Sequence, residues 1–266
     1  MTGYFAQYAV VFISGLAAGA LINSCICSML CGKPLFKAFL HCAGCGVKLK
    51  PFELIPLIGT IALICNKRRR DKDEKHLRRL CVELLTAGAF VALYHKYMFT
   101  VDFLAFAYLL SILAAVVFID MERRIIPDEL VIAGLIGGIP VIVYNIFFPM
   151  KIYLDGKWWN PLLGIIPGVG FLLVAAVIGM LIYGTDDAMG MGDVKIFAPI
   201  GIFLGWRLCM AALLMSILLA GMTSFFLMVS GAKKRKEAIP FGPFIAAGAF
   251  IAIMLGTDII KWYTSN

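Results

Sequence analysis

This sequence is poor in charge. Of its 266 residues only 15% are Asp, Glu, Lys or Arg, while 62% are hydrophobic and the mean hydropathy is +0.93. Soluble domains carry about 25% charged residues. The excess of apolar surface is too large for one water-surrounded core, which excludes an ordinary soluble domain. The low charge also excludes a disordered chain, and the length excludes a small disulfide-stapled secreted fold. Histidine is scarcer still. The three present, His41, His76 and His95, lie away from the polar pairs at the ends of the apolar runs, which argues against a Ser-His-Asp triad. No 20–50-residue repeat is visible. Acidic residues are in deficit too, 16 against 24 basic, for a net charge of +8. The basic residues cluster between apolar runs, notably from Lys67 to Arg79 and from Lys233 to Lys236, without interleaved exposed aromatics. That pattern suits topogenic loops facing membrane lipid and does not suit nucleic acid. Four of the eight cysteines, Cys25, Cys27, Cys31 and Cys209, lie inside apolar stretches and read as reduced packing residues.

What is abundant is long apolar runs. A helix needs about 20 such residues to cross a hydrocarbon core of roughly 30 Å. Qualifying runs occupy residues 4–30, 81–99, 101–119, 130–148, 161–183 and 241–260. The run from 196 to 229 is too long for one crossing and is read as two helices turning at Trp206-Arg207, because an aromatic beside a charge suits a membrane interface. The expectation is an all-α polytopic membrane protein of about eight transmembrane helices. Residues 1–31 form the first of these, retained because the run is long and no Ala-x-Ala cleavage site follows it. Residues 32–80 form a small cytoplasmic, cysteine-containing basic domain, and residues 81–266 a seven-helix membrane catalytic domain. With an even number of spans, loops at 31–80, 120–129, 184–195 and 230–240 share one side and hold 19 of the 24 basic residues. The positive-inside rule makes that side cytoplasmic.

Carboxylates at membrane depth are costly and mark candidate sites. Asp120 ends an unbroken apolar run, and after Met121-Glu122-Arg123-Arg124-Ile125-Ile126 the pair Pro127-Asp128 opens the next. Asp128 reads equally as a helix cap. A second carboxylate stands in Gly190-Met191-Gly192-Asp193-Val194-Lys195. Without Cβ atoms, Gly190 and Gly192 let a peptide backbone approach and let Asp193 sit at a buried helix start. Lys195 reads either as a counter-charge or as a snorkelling interface residue. Two carboxylates on one membrane face can share a proton, one acting as general base on a water and the other as acid toward a scissile carbonyl.

Asp120 and Asp193 in these contexts, with Ile239-Pro240-Phe241-Gly242-Pro243-Phe244 near the end, closely resemble the bacterial type IV prepilin peptidases. Gly19-Ala20-Leu21-Ile22-Asn23, the Cys-x-x-Cys of Cys42 and Cys45, Glu53-Leu54-Ile55-Pro56 and Val82-Glu83-Leu84-Leu85-Thr86 agree in order along nearly the whole chain. The resemblance implies a multi-pass protein of the cytoplasmic membrane that removes short basic leaders from prepilins or pseudopilins, with Asp120 and Asp193 as the catalytic pair. Gly190, Gly192, Lys195, Pro127, Asp128 and Glu122 would shape the site, and acidic residues such as Glu122, Asp128 or Glu129 would meet the basic leader. It also implies methylation of the new amino terminus with S-adenosylmethionine. Long-form relatives of this kind carry two Cys-x-x-Cys pairs suited to tetrahedral zinc. Here only Cys42 and Cys45 form a pair, and Arg68 stands where a partner for Cys65 is expected. Zinc held by Cys42, Cys45 and Cys65 with His41, His76 or Cys81 is one expectation, and a metal-free loop the other. Two readings of other classes stay open: a proton-coupled transporter with carboxylates in broken helices, and a non-catalytic scaffold whose aspartates are helix caps.

Overall fold

The computed structural model describes residues 2–31, 56–57, 73–153, 156–183, 190–231 and 239–265. Most of the basic 32–80 segment, including Cys42, Cys45 and Cys65, lies outside the described residues, as does Glu53. Among the described residues the fold is helical and contains no strand. The helices are α1 (Thr2–Cys31), α2 (Asp73–Tyr97), α3 (Val101–Arg123), α4 (Asp128–Phe147), α5 (Asn160–Leu163), α6 (Phe171–Tyr183), α7 (Met191–Val229), α8 (Gly242–Ile251) and α9 (Thr257–Ser265). A π-helical turn, Ile166–Gly170, joins α5 to α6, and another, Ala252–Gly256, joins α8 to α9.

Six helical stretches among the described residues are long and apolar enough to cross a membrane: Tyr4–Leu30, Val101–Arg123, Asp128–Phe147, Asn160–Ile182, Met191–Val229 and Gly242–Ile260. The chain is thus an all-α polytopic membrane protein. The expected count of about eight differs from six at two places. Helix α2 begins with Asp73, Glu74, Lys75, Arg78 and Arg79, so its apolar length is short. Helix α7 runs 39 residues but is broken at Gly205, where φ is 71° and ψ 173°. The break falls one residue before the Trp206-Arg207 turn expected from the sequence, and the Arg207 guanidinium stacks 5.2 Å from the Trp206 ring.

The chain divides into two compact units, Met1–Ala115 and Val116–Asn266. In the first, α1 packs along α2 with small residues at the crossing. A Cβ on Gly15 would stand 2.6 Å from Ala87 Cα, so only glycine allows this spacing, as at close crossings of membrane helices generally. Polar groups in the seam are paired across it: Thr86 Oγ1 lies 3.1 Å from the Gly15 carbonyl, and Asn23 Nδ2 donates to the Arg79 carbonyl at 3.1 Å. Glu83, fully buried, accepts from Arg79 Nε at 3.0 Å and from the Leu57 N–H at 2.8 Å. Edge-to-face contacts of Phe103 with Phe90 and Tyr94 close the unit on α3.

In the second unit α7 is the central element, packed by α4, α5 and α8. Its break is satisfied by side chains. Tyr153 Oη donates to the Ile202 carbonyl at 2.8 Å, and the Trp206 N–H donates to Asn160 Oδ1 at 3.3 Å. Asn160 is held in turn by its Nδ2 donating to the Tyr153 carbonyl. At membrane depth an unpaired backbone group costs several kcal/mol, so a broken helix persists only where such partners exist. The outward faces of α4, α6 and α7 expose Ile136, Val143, Leu181, Ile182, Phe225 and Phe226, the surface a lipid solvent demands.

Candidate active site

Asp120 occupies the last turn of α3. Helix α3 ends because Arg124 adopts a left-handed conformation, φ 55°, with its N–H bonded to the Asp120 carbonyl at 2.8 Å, a common way to close a helix. The chain then turns through Ile125 and Ile126 into Pro127, whose φ of −64° precedes the first turn of α4. Asp193 lies in the first turn of α7, its N–H bonded to the Gly190 carbonyl at 3.0 Å. Neither helix start carries a side-chain cap. The cap position of α4 is Pro127, so Asp128 does not serve as the cap that its sequence position allows.

A cavity of about 240 Å³ brings these segments together, lined by Asp120, Arg124, Ile126, Asp128, Gly190, Gly192, Asp193 and Lys195 with Ile125 and Met191. It has room for several waters. Asp120 is buried, 5% exposed, while Asp193 is half-buried and Asp128 and Lys195 are exposed. Lys195 pairs with Asp128, Nζ to Oδ1 at 2.8 Å. Glu122 and Glu129 are exposed at the neighbouring helix ends and are not among the cavity's lining residues. The glycines act locally. A Cβ on Gly192 would lie 2.9 Å from Ile126 Cβ, and one on Gly190 would lie 3.1 Å from Asp193 Oδ2. The first allows the 124–127 turn to seat on α7, and the second leaves space for the Asp193 carboxylate.

One residue has a task that the sequence did not disclose. The Gly242 N–H, at the amino end of α8, donates to Asp120 Oδ2 at 2.7 Å in a buried setting. A Cβ there would stand 2.9 Å from that oxygen and 3.0 Å from Asp120 Cβ. Gly242 therefore fixes one carboxylate oxygen and leaves Oδ1 free. The available signal was Gly242-Pro243 opening an apolar run, a pattern for a helix start; its partner 122 residues away was not readable.

No group of three or more His, Cys, Asp or Glu suited to a metal occurs among the described residues, and the cysteines expected to hold zinc lie outside them. The cavity lining carries no aromatic face for a nucleoside.

Comparison with known proteins gives a consistent result. Residues 104–225 match the model of the type IV leader peptidase family, and residues 13–97 match that of the bacterial peptidase A24 N-terminal domain. A Bacillus subtilis (strain 168) protein named prepilin leader peptidase/N-methyltransferase is 27% identical over 258 residues, covering 96% of each chain. Proteins of the same name from Legionella pneumophila (28% identical, 86% of this chain and 76% of the relative) and Aeromonas hydrophila (28%, 85% and 74%) also match. No solved structure matches the chain significantly. Residues 104–225, which carry both carboxylates, therefore belong to the type IV leader peptidase family, and relatives align along most of the chain.

Proposed function

We propose that this protein removes the short basic leader of type IV prepilins or pseudopilins at the cytoplasmic face of the inner membrane, with Asp120 and Asp193 as the catalytic pair. The observation that carries the reading is that these two carboxylates, at the ends of different spans, line one cavity. Their place at helix ends favours a peptidase open to an aqueous face over a proton-coupled carrier, whose carboxylates belong near the bilayer midplane. The concentration of basic residues in the 31–80 and 230–240 loops supports the cytoplasmic orientation, with 32–80 as a small cytoplasmic domain.

In this mechanism a water between the carboxylates loses a proton to one of them and attacks the scissile carbonyl. The other carboxyl donates a proton to the carbonyl oxygen, and the pair titrates as a unit. The Gly242 N–H engages Oδ2 of Asp120, so Oδ1 is the oxygen that meets the water. Collapse of the tetrahedral intermediate breaks the C–N bond, with a proton passing to the leaving amine. The relatives' names carry a second activity, N-methyl transfer, and we extend it to this chain with S-adenosylmethionine as methyl donor to the new amino terminus.

The test is cleavage of a synthetic leader peptide by the purified wild type, Asp120→Asn and Asp193→Asn, followed by mass spectrometry with and without S-adenosylmethionine. Loss of cleavage in both variants with unchanged thermal unfolding is expected. Retention in either removes that aspartate from the mechanism.

A further inference from the structure

The rim of the cavity carries an ion pair for which the hydrolytic step has no task. Lys195 Nζ lies 2.8 Å from Asp128 Oδ1 and 3.1 Å from Oδ2, and the two side chains are 48% and 63% exposed. An exposed pair adds little to stability, because water and salt screen it and a long side chain must be held still. Its two members are also unequal. Asp128 is short and sits on the first turn of α4, behind Pro127 and beside the buried Ile126 and Leu130. Lys195 has a four-carbon stem, and its ammonium can swing into water while the buried Val194 and Ile196 hold its backbone. If the pair opens, the carboxylate stays at the rim and the cation leaves.

We propose that Asp128 receives a cationic side chain of the substrate leader, and that Lys195 holds that place until the leader arrives. The proposal rests on the peptidase reading above and names what the site recognises. Exchange of one cation for another leaves Asp128 paired throughout, so the entering peptide uncovers no charge at the cavity mouth. Lys195 engages both carboxylate oxygens of Asp128. An arginine, whose planar fork donates to two oxygens at once, replaces it better than a lysine does. A leader without a cation at that position leaves Lys195 bridging α7 to α4 across the rim.

The experiment uses the full chain in detergent or nanodiscs with peptides in which one residue, Arg, Lys or Gln, is moved along an otherwise neutral leader. For the wild type, kcat/KM at the best position is expected to follow Arg over Lys over Gln, with Arg above Gln by roughly tenfold. Asp128→Asn brings that ratio toward one. Lys195→Gln, which removes the resident competitor, lowers KM for the cationic peptides. A merely structural pair lowers all peptides in the same proportion in both variants and preserves the ratio. That result, or a wild-type ratio of one at every position, overturns the proposal while leaving the peptidase reading intact. If the wild type cleaves none of the peptides, both fall together.

Discussion

Asp120 is the buried carboxylate of the cavity, 5% exposed. Its backbone closes α3 through Arg124, and its Oδ2 is fixed by the Gly242 N–H. Under the proposed mechanism, replacing either Asp120 or Asp193 with Asn lowers kcat by roughly 10²–10⁴-fold, measured by leader cleavage at saturating substrate. Gly242→Ala keeps the backbone donor but places a Cβ 2.9 Å from Oδ2, so the carboxylate must move by a few tenths of an ångström or more. Misplacement on the order of 1 Å costs about 10²-fold in rate. A fall in kcat approaching that size, with α8 still folded by circular dichroism, is expected. An unchanged kcat would mean that Asp120 needs no such fixing. Residues of the same cavity differ in how readable they were. Asp120 and Asp193 stood out because a charge beside an apolar run is conspicuous in one dimension. The pairing of Lys195 with Asp128, instead of with Asp193 two residues away, was not conspicuous, because local sequence leaves a four-carbon side chain several partners.

At the scale of elements, the break in α7 is the feature on which the second unit depends. Gly205 holds φ 71°, which costs a non-glycine residue about 1–3 kcal/mol, and a Cβ there would also stand 2.5 Å from Tyr153 Cδ1. Gly205→Ala is therefore expected to destabilise the protein by at least that amount, read as a lower unfolding midpoint in detergent. Asn160→Leu strips the Trp206 N–H of its side-chain acceptor, for a loss of about 1–3 kcal/mol. Because the two substitutions damage one junction, the double variant should lose less than the sum; strict additivity would mean that Asn160 acts elsewhere. The break itself was anticipated from the length of the run and from the aromatic beside a charge at Trp206-Arg207. What satisfies it was not, since Tyr153 comes from the connection between α4 and α5 and Asn160 is the first residue of α5, and neither carries a periodic signal.

For the whole molecule, the charge distribution makes a topological prediction. Membrane-impermeant amine labelling of intact cells should modify Lys151 and Lys157, while Lys233, Lys234 and Lys236 should react only after permeabilisation. The reverse pattern would put the cavity on the outer side and exclude a cytoplasmic peptidase.

By itself the sequence determined the solvent, the class and most of the spans, because these follow from summed hydropathy and from where charge interrupts it, quantities that need no knowledge of contacts. It also marked the two carboxylates at span ends. Only the tertiary structure decided which polar groups meet. Asp120 finds Gly242 across 122 residues, Lys195 finds Asp128 across 67, and Trp206 finds Asn160 across 46. A hydrogen-bond partner is chosen by packing between helices, and helices that all present apolar faces to lipid can be packed in many ways until close approaches such as Ile126 on Gly192 and Asp120 on Gly242 select one.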